Sequence, residues 1–155
     1  WQSTSITQLQ ALVGHQEINF TDKLLASDSG VKWRIDLNWQ PTPFTKMNIN
    51  TQRNYEAANR IADSYRVVDR THLQLTNQLS HSFHSSIALG YKQEKIIFSD
   101  KATAEDYLYS EIKLNYQRNN WLTLFATATF SELESSESLL DHQRNSISLG
   151  FSVTI

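Results

Sequence analysis

His81 and His84, in the run His-Ser-Phe-His, are spaced so that both imidazoles could approach one metal ion, provided further ligands converged on them. No third ligand lies nearby in the chain, and the pair falls between two hydrophobic runs, so a plain polar turn is the simpler reading. Neither a metal nor any other cofactor is expected. The serine-rich stretch 131–138, followed by Asp141 and His142, holds the side-chain types of a nucleophilic hydrolase. A nucleophilic serine of that kind is raised on a sharp strand-to-helix turn, and no helical period follows this one. Glu132 and Glu134 fall in the same segment, expected to be a solvated loop, where little would keep a carboxyl protonated for acid catalysis. No catalytic constellation emerges, and the chain is not expected to be an enzyme.

A second set of polar side chains is organised differently. In residues 31–40, Lys32, Arg34, Asp36, Asn38 and Gln40 alternate with Val31, Trp33, Ile35, Leu37 and Trp39. Successive side chains of a strand point to opposite faces, so this segment has one charged or amide face and one apolar face. The last residues repeat the pattern without charge: Asn145, Ile147, Leu149, Phe151, Val153 and Ile155 against Ser146, Ser148, Gly150, Ser152 and Thr154. The same phase, carried through the chain, groups Lys46, Asn48, Asn50, Lys92, Glu94, Tyr107, Tyr109, Glu111, Lys113 and Asn115 with the polar set. Leu73, Leu75, Leu79, Ile87, Leu89, Tyr91, Leu108, Ile112, Leu114, Tyr116, Leu122, Leu124, Ala126, Ala128 and Phe130 join the apolar one.

Eight segments carry this alternation, near 5–20, 31–40, 45–57, 66–79, 85–98, 104–117, 121–133 and 143–155. Most exceed the roughly five or six residues usual in globular sheets and match the about 9–11 that cross a bilayer when tilted. Short turns are expected at 41–44, 80–84 and 117–120, and longer polar connections at 21–30, 58–65, 99–103 and 134–142. Short turns at one end and long loops at the other are the asymmetry of bacterial outer-membrane barrels, whose short turns are periplasmic. Aromatics gather near strand ends, with Trp39 and Tyr116 toward the turns and Trp33, Tyr91 and Phe130 toward the loops, as interfacial girdles require. Thr51 and Asn77 break the apolar phase, but neither is charged.

Composition agrees with that architecture by what it excludes. The 155 residues contain no cysteine, so no disulfide or thiolate-metal framework is available. A formal net charge of −2, with both signs interspersed, gives no footprint for nucleic acid. No run approaches the roughly 18 apolar residues of a membrane helix. A barrel strand escapes such averages because every second residue faces the interior. Trp1 is an unusual first residue, and upstream residues, a removed signal or further strands, are expected to precede it.

The chain also repeats itself. Leu-Val-Gly-His-Gln at 12–16 and Phe-Thr-Asp-Lys at 20–23 return as Ala-Leu-Gly-Tyr-Lys-Gln at 88–93 and Phe-Ser-Asp-Lys at 98–101, about 77 residues later. Four strands fit in that interval, so the expected unit of duplication is a four-stranded piece.

Several runs carry a family resemblance: Trp-Arg-Ile-Asp-Leu-Asn-Trp-Gln-Pro-Thr-Pro-Phe-Thr from Trp33, Gly-Tyr-Lys-Gln-Glu from Gly90, Leu-Asn-Tyr-Gln-Arg-Asn-Asn-Trp-Leu-Thr-Leu from Leu114, Ser-Glu-Leu-Glu-Ser-Ser from Ser131 and Asp-His-Gln-Arg-Asn-Ser-Ile-Ser-Leu-Gly-Phe from Asp141. In their order they resemble the EpsL-like outer-membrane β-barrel porins of exopolysaccharide and capsule operons, over nearly the whole chain. The resemblance implies an outer-membrane location in a Gram-negative bacterium, a secreted polysaccharide as substrate and periplasmic polysaccharide-export proteins as partners. Members of that group are longer, so the similarity is to their C-terminal portion, and they supply no catalytic residues. Ile155 stands where barrel-assembly signals usually carry an aromatic.

The expectation is therefore an all-β, antiparallel up-and-down transmembrane barrel of eight meander strands. Residues 1–155 form a single barrel domain or the C-terminal half of a larger barrel. Lys32, Arg34, Asp36, Asn38, Gln40, Asn48, Asn50, Lys92, Glu94, Tyr107, Tyr109, Glu111 and Lys113 would line a wet interior. Amides, hydroxyls and ring faces there suit a neutral or weakly charged hydrophilic solute such as a polysaccharide. The alternatives are an interior filled by salt-bridged side chains in a closed eight-stranded structural or adhesive protein, with loops that bind, and a soluble binder with its apolar face inside.

Overall fold

In the long strands of this chain the apolar positions recur every second residue, and that period of two sets the whole architecture. A computed structural model describes residues 2–4, 6–19, 28–57, 63–98, 102–136 and 138–154. They form one antiparallel sheet in which each strand pairs with the next in sequence: β1 (Gln2–Thr4), β2 (Thr7–Ile18), β3 (Asp28–Thr42), β4 (Thr45–Ala57), β5 (Asp63–Gln78), β6 (Phe83–Phe98), β7 (Ala102–Gln117), β8 (Leu122–Ser135) and β9 (His142–Val153). The expected eight-strand meander is present as β2–β9. The first expected segment, 5–20, is the long β2, and the short β1 precedes it and pairs with it through Gln2 with Gln8 and Thr4 with Thr7.

Tight turns join the strands at one end. Between β3 and β4 the turn is Pro43-Phe44, and the register slips between Trp39 and Thr42, where Pro41 has no N–H to give the ladder. Between β5 and β6 the N–H groups of Leu79 and Ser80 donate to the Phe83 carbonyl at 2.9 and 3.2 Å. Leu79 thus lies in the turn and not on the apolar face of β5. Between β7 and β8 the side chain of Asn119 accepts from the N–H groups of Trp121 and Leu122 at 3.3 and 2.9 Å, an Asx turn. At the opposite end four strands begin earlier than expected, β3 at Asp28, β5 at Asp63, β7 at Ala102 and β9 at His142, and β8 runs on to Ser135.

Register fixes the two faces. Leu9, Leu37, Ile49, Leu73 and Leu89 follow one another across five strands as direct partners. Ile112, Ala128 and Ile147 continue the apolar face across β7, β8 and β9. Thr51 and Thr71 sit on this face as a direct pair and bond to each other through their hydroxyls at 2.9 Å, which removes the cost of placing them there.

The band has an upper edge. Arg53 makes a bidentate pair with Asp69 at 2.7 and 2.6 Å, Tyr91 donates its hydroxyl to Asp106 at 2.6 Å, and Gln143 bonds Glu132, all on the apolar side toward the long connections. Glu132 and Glu134 therefore belong to strand β8, not to a loop, and so do Ser131 and Ser135. On β7, Leu108 to Tyr116 covers about 26 Å of strand at about 3.3 Å per residue. At a tilt of roughly 40° this stands about 20 Å tall, near the about 25 Å apolar band of membrane barrels.

Exposure is inverted relative to a soluble sheet. Ile112, Leu124 and Leu149 are 50, 43 and 80 % exposed, whereas Val68 and Glu94, on the polar face, are 1 and 4 % exposed. Side chains crowd on the polar face as they do inside a curved sheet. Among the described residues β9 forms no ladder with β1 or β2, so the sheet has two edges, and in lipid each edge must find a backbone partner.

Leu37→Arg, in the middle of the apolar band, is expected to cost about 2–4 kcal/mol of folding stability in lipid vesicles, whereas Asn38→Arg on the polar face should cost little. Equal costs in equilibrium unfolding would contradict the phase.

Candidate functional site

All thirteen polar residues singled out from the sequence share the polar face, because direct partners in an antiparallel ladder point the same way. The cross-strand register further sorts that face into rows. The row nearest the long connections that still crosses every strand from β2 to β9 runs Leu12, Arg34, Gln52, Arg70, Lys92, Tyr107, Leu133 and His142. The next toward the turns is Gln10, Asp36, Asn50, His72, Gly90, Tyr109, Ser131 and Arg144. Below it lies a row dominated by amides and hydroxyls: Gln8, Asn38, Asn48, Gln74, Ala88, Glu111, Thr129 and Ser146.

The charged rows are tied together. Arg66 reaches Glu56 at 3.0 Å and Glu94 at 2.7 Å, so it bridges β4 and β6 across its own strand β5. Arg70 reaches Glu56 at 3.3 Å, and Lys92 reaches Glu94 at 2.9 Å. Five charges on three strands thus form one network, with Glu94 buried at its centre. On β3, Asp36 accepts from Arg34 at 2.7 and 3.1 Å and from Asn50 at 2.6 Å. Tyr109 donates to Glu111 at 2.9 Å. Glu94 is opposed across β6 and β7 by Glu105, a like-charge pair that Lys92 and Arg66 offset. Sequence reading had Lys92 and Glu94 but missed Glu56, Arg66 and Arg70, because only the register shows that they converge.

Glycines open space for rings on this face. A side chain at Gly150 would collide with the Phe125 ring, its direct partner, so that ring lies flat over β9. Gly90 faces Tyr109 more loosely, with 3.6 Å to the ring from where a Cβ would stand. The two glycines of the internal repeat, Gly14 and Gly90, both lie on the polar face, Gly14 beneath the Lys32 stem and two rows nearer the long connections. The other repeated motif, at 20–23 and 98–101, lies almost wholly outside the described residues.

The residues considered for chemistry are dispersed. His81 lies in the turn and His84 on β6 opposite Gln78 and Asn115. Asp141 caps Ser135 through its backbone N–H at 2.7 Å, and His142 opens β9. No group of three or more His, Asp or Glu side chains converges on a metal position among the described residues. No helix is long and apolar enough to cross a membrane, which says nothing of strands.

An inside-out antiparallel meander with lipid-length strands, girdle aromatics and a polar inner face defines a membrane β-barrel class of protein. A family model described as "Putative beta-barrel porin 2" matches residues 2–155, and the chain belongs to that family. It is thus a porin-like β-barrel of the outer-membrane type. No curated protein and no solved structure matches it.

Two outcomes follow. Glu94→Ala strands Lys92 and leaves Arg66 with Glu56 alone, and because both cations stay partly solvated the expected loss is roughly 2 kcal/mol, below the about 3–5 kcal/mol of a fully buried pair; Glu105→Gln should be neutral or stabilising. Denaturant titration in vesicles separates the two. In the same assay Gly150→Ala should destabilise much more than Gly90→Ala, and Phe125→Ala should relieve most of the Gly150→Ala penalty; additive losses would show that the ring does not occupy that space.

Proposed function

We propose that the polar face lines the water-filled lumen of a pore in the bacterial outer membrane, and that the pore passes a secreted polysaccharide. The observation that carries this reading is the amide and hydroxyl row on the polar face. Gln8, Asn38, Asn48 and Gln74 are consecutive partners on four strands, and Thr129 and Ser146 continue the row on β8 and β9. Amides donate and accept, so a continuous set of them can replace water around sugar hydroxyls at each step along the wall without fixing the solute in one place. Conduction requires binding of this kind, distributed and weak. The aromatic rings of Tyr107, Tyr109 and Phe125 add apolar faces on which sugar rings can stack. The resemblance to porins of exopolysaccharide operons supports the same substrate, with periplasmic polysaccharide-export proteins as partners on the side of the short turns. No step on this path makes or breaks a covalent bond.

Planar bilayers containing the native polypeptide test the reading. Stable ion conductance is expected, with transient blockades by a soluble neutral oligosaccharide such as maltohexaose, and a several-fold shorter blockade in Asn48→Leu and Gln74→Leu. Absence of conductance would mean that side chains such as the Arg66 network fill the interior, and would favour a structural or adhesive protein. Conductance indifferent to sugar would leave a general porin.

A further inference from the structure

Resting on the lumen reading above, we propose that the pore selects for anions and that its polymer carries carboxylates, as a uronic-acid glycan does. The basis is the belt formed by Arg34, Arg70 and Lys92. These three share one cross-strand row, in which Arg34 and Arg70 are separated only by Gln52, and Arg70 and Lys92 are direct partners. Adjacent strands lie about 4.8 Å apart, so the three cationic side chains spring from roughly 15 Å of wall.

Cations directly opposed in a sheet repel, and the sequence keeps this pair in place with carboxylates set behind it. The side chains of Arg34, Arg70 and Lys92 are 54, 41 and 34 % exposed, whereas their respective partners Asp36, Glu56 and Glu94 are 21, 28 and 6 % exposed. In each pair the cation is the outer member. Arg66, which holds both Glu56 and Glu94, gives that network three cations against two carboxylates in contact with them. Lys32, one step toward the long connections on β3, adds to the same side of the wall. The nearby opposing charges on this face are Glu105, which faces Glu94 rather than the belt, and Glu111, two rows away and bonded by Tyr109.

Many of the acids that give the chain its net charge of −2 are placed elsewhere: Glu17, Asp69, Asp106, Glu132 and Glu134 share the apolar side with the lipid band. An ion inside a narrow wet passage bounded by low-dielectric walls therefore meets the belt before its carboxylates. A chain of sugar carboxylates would exchange one guanidinium for the next and then slide on amides and hydroxyls.

The zero-current potential across a bilayer holding the native polypeptide, under a tenfold potassium chloride gradient, tests this. Chloride preference is expected, with a larger effect at low salt because screening is weaker there. Arg34→Gln, whose only ion pair among the described residues lies within its own strand, and the double variant Arg70→Gln with Lys92→Gln should each move the potential toward zero, and Glu105→Gln should move it further toward chloride. Oligogalacturonate should block the native pore at least tenfold more tightly than the double variant, while maltohexaose block should change little. Cation preference, or a potential that ignores Arg34→Gln, would overturn the proposal while leaving the pore intact. A native polypeptide that does not conduct would overturn the pore and the belt together.

Discussion

A backbone N–H or C=O that enters hydrocarbon without a partner costs several kcal/mol, and a strand satisfies these groups only through its neighbours. From β2 to β9 every strand supplies that partner to the next in sequence, in unbroken ladders of eight to fifteen pairs apart from slips near strand ends. Once the ladders are made, the side chains have no freedom of direction. One set must meet lipid and the other must meet whatever lies within. The charged, amide and hydroxyl residues can therefore be numerous without cost to membrane residence, provided they keep one phase.

The consequence is a functional surface built by register. Arg34, Arg70 and Lys92 are far apart in the chain and on three different strands, yet the antiparallel pairings bring them to one row. The same pairings stack amides beneath them. Arg66 serves the wall more than the surface, since it joins two carboxylates on strands to either side and so locks β4, β5 and β6 together beyond the apolar band. Cation and carboxylate are thus divided between surface and support.

Much of this was legible in the sequence, for a physical reason. A slip of one residue turns every side chain of a strand to the wrong face, so the phase of a strand such as 31–40 is written unambiguously in its alternation. The face of each of the thirteen polar residues followed from that phase. Strand ends did not follow, because beyond the lipid band both faces may be polar: β5 begins at Asp63 and β8 continues through Glu132 and Glu134 with pairing but without alternation. Rows across strands were also hidden. Lys92 and Glu94 could be placed on a face, but their association with Arg66, Arg70 and Glu56 depends on contacts between residues up to 28 apart. Thr51 read as a defect of the apolar face until Thr71 was known to oppose it. The collision that holds Gly150 as glycine required the position of Phe125.

The central claim is that odd-numbered positions of β4 face lipid and even-numbered ones face water inside a barrel. The chain has no cysteine, so single cysteines report cleanly. Asn48→Cys, Ile49→Cys and Asn50→Cys, assembled in vesicles, should react with a membrane-impermeant charged thiol reagent in the order fast, slow, fast, and a lipid-dissolved quencher should reach a fluorophore at position 49 alone. Uniform reaction at the three positions, or the reverse order, would contradict the account.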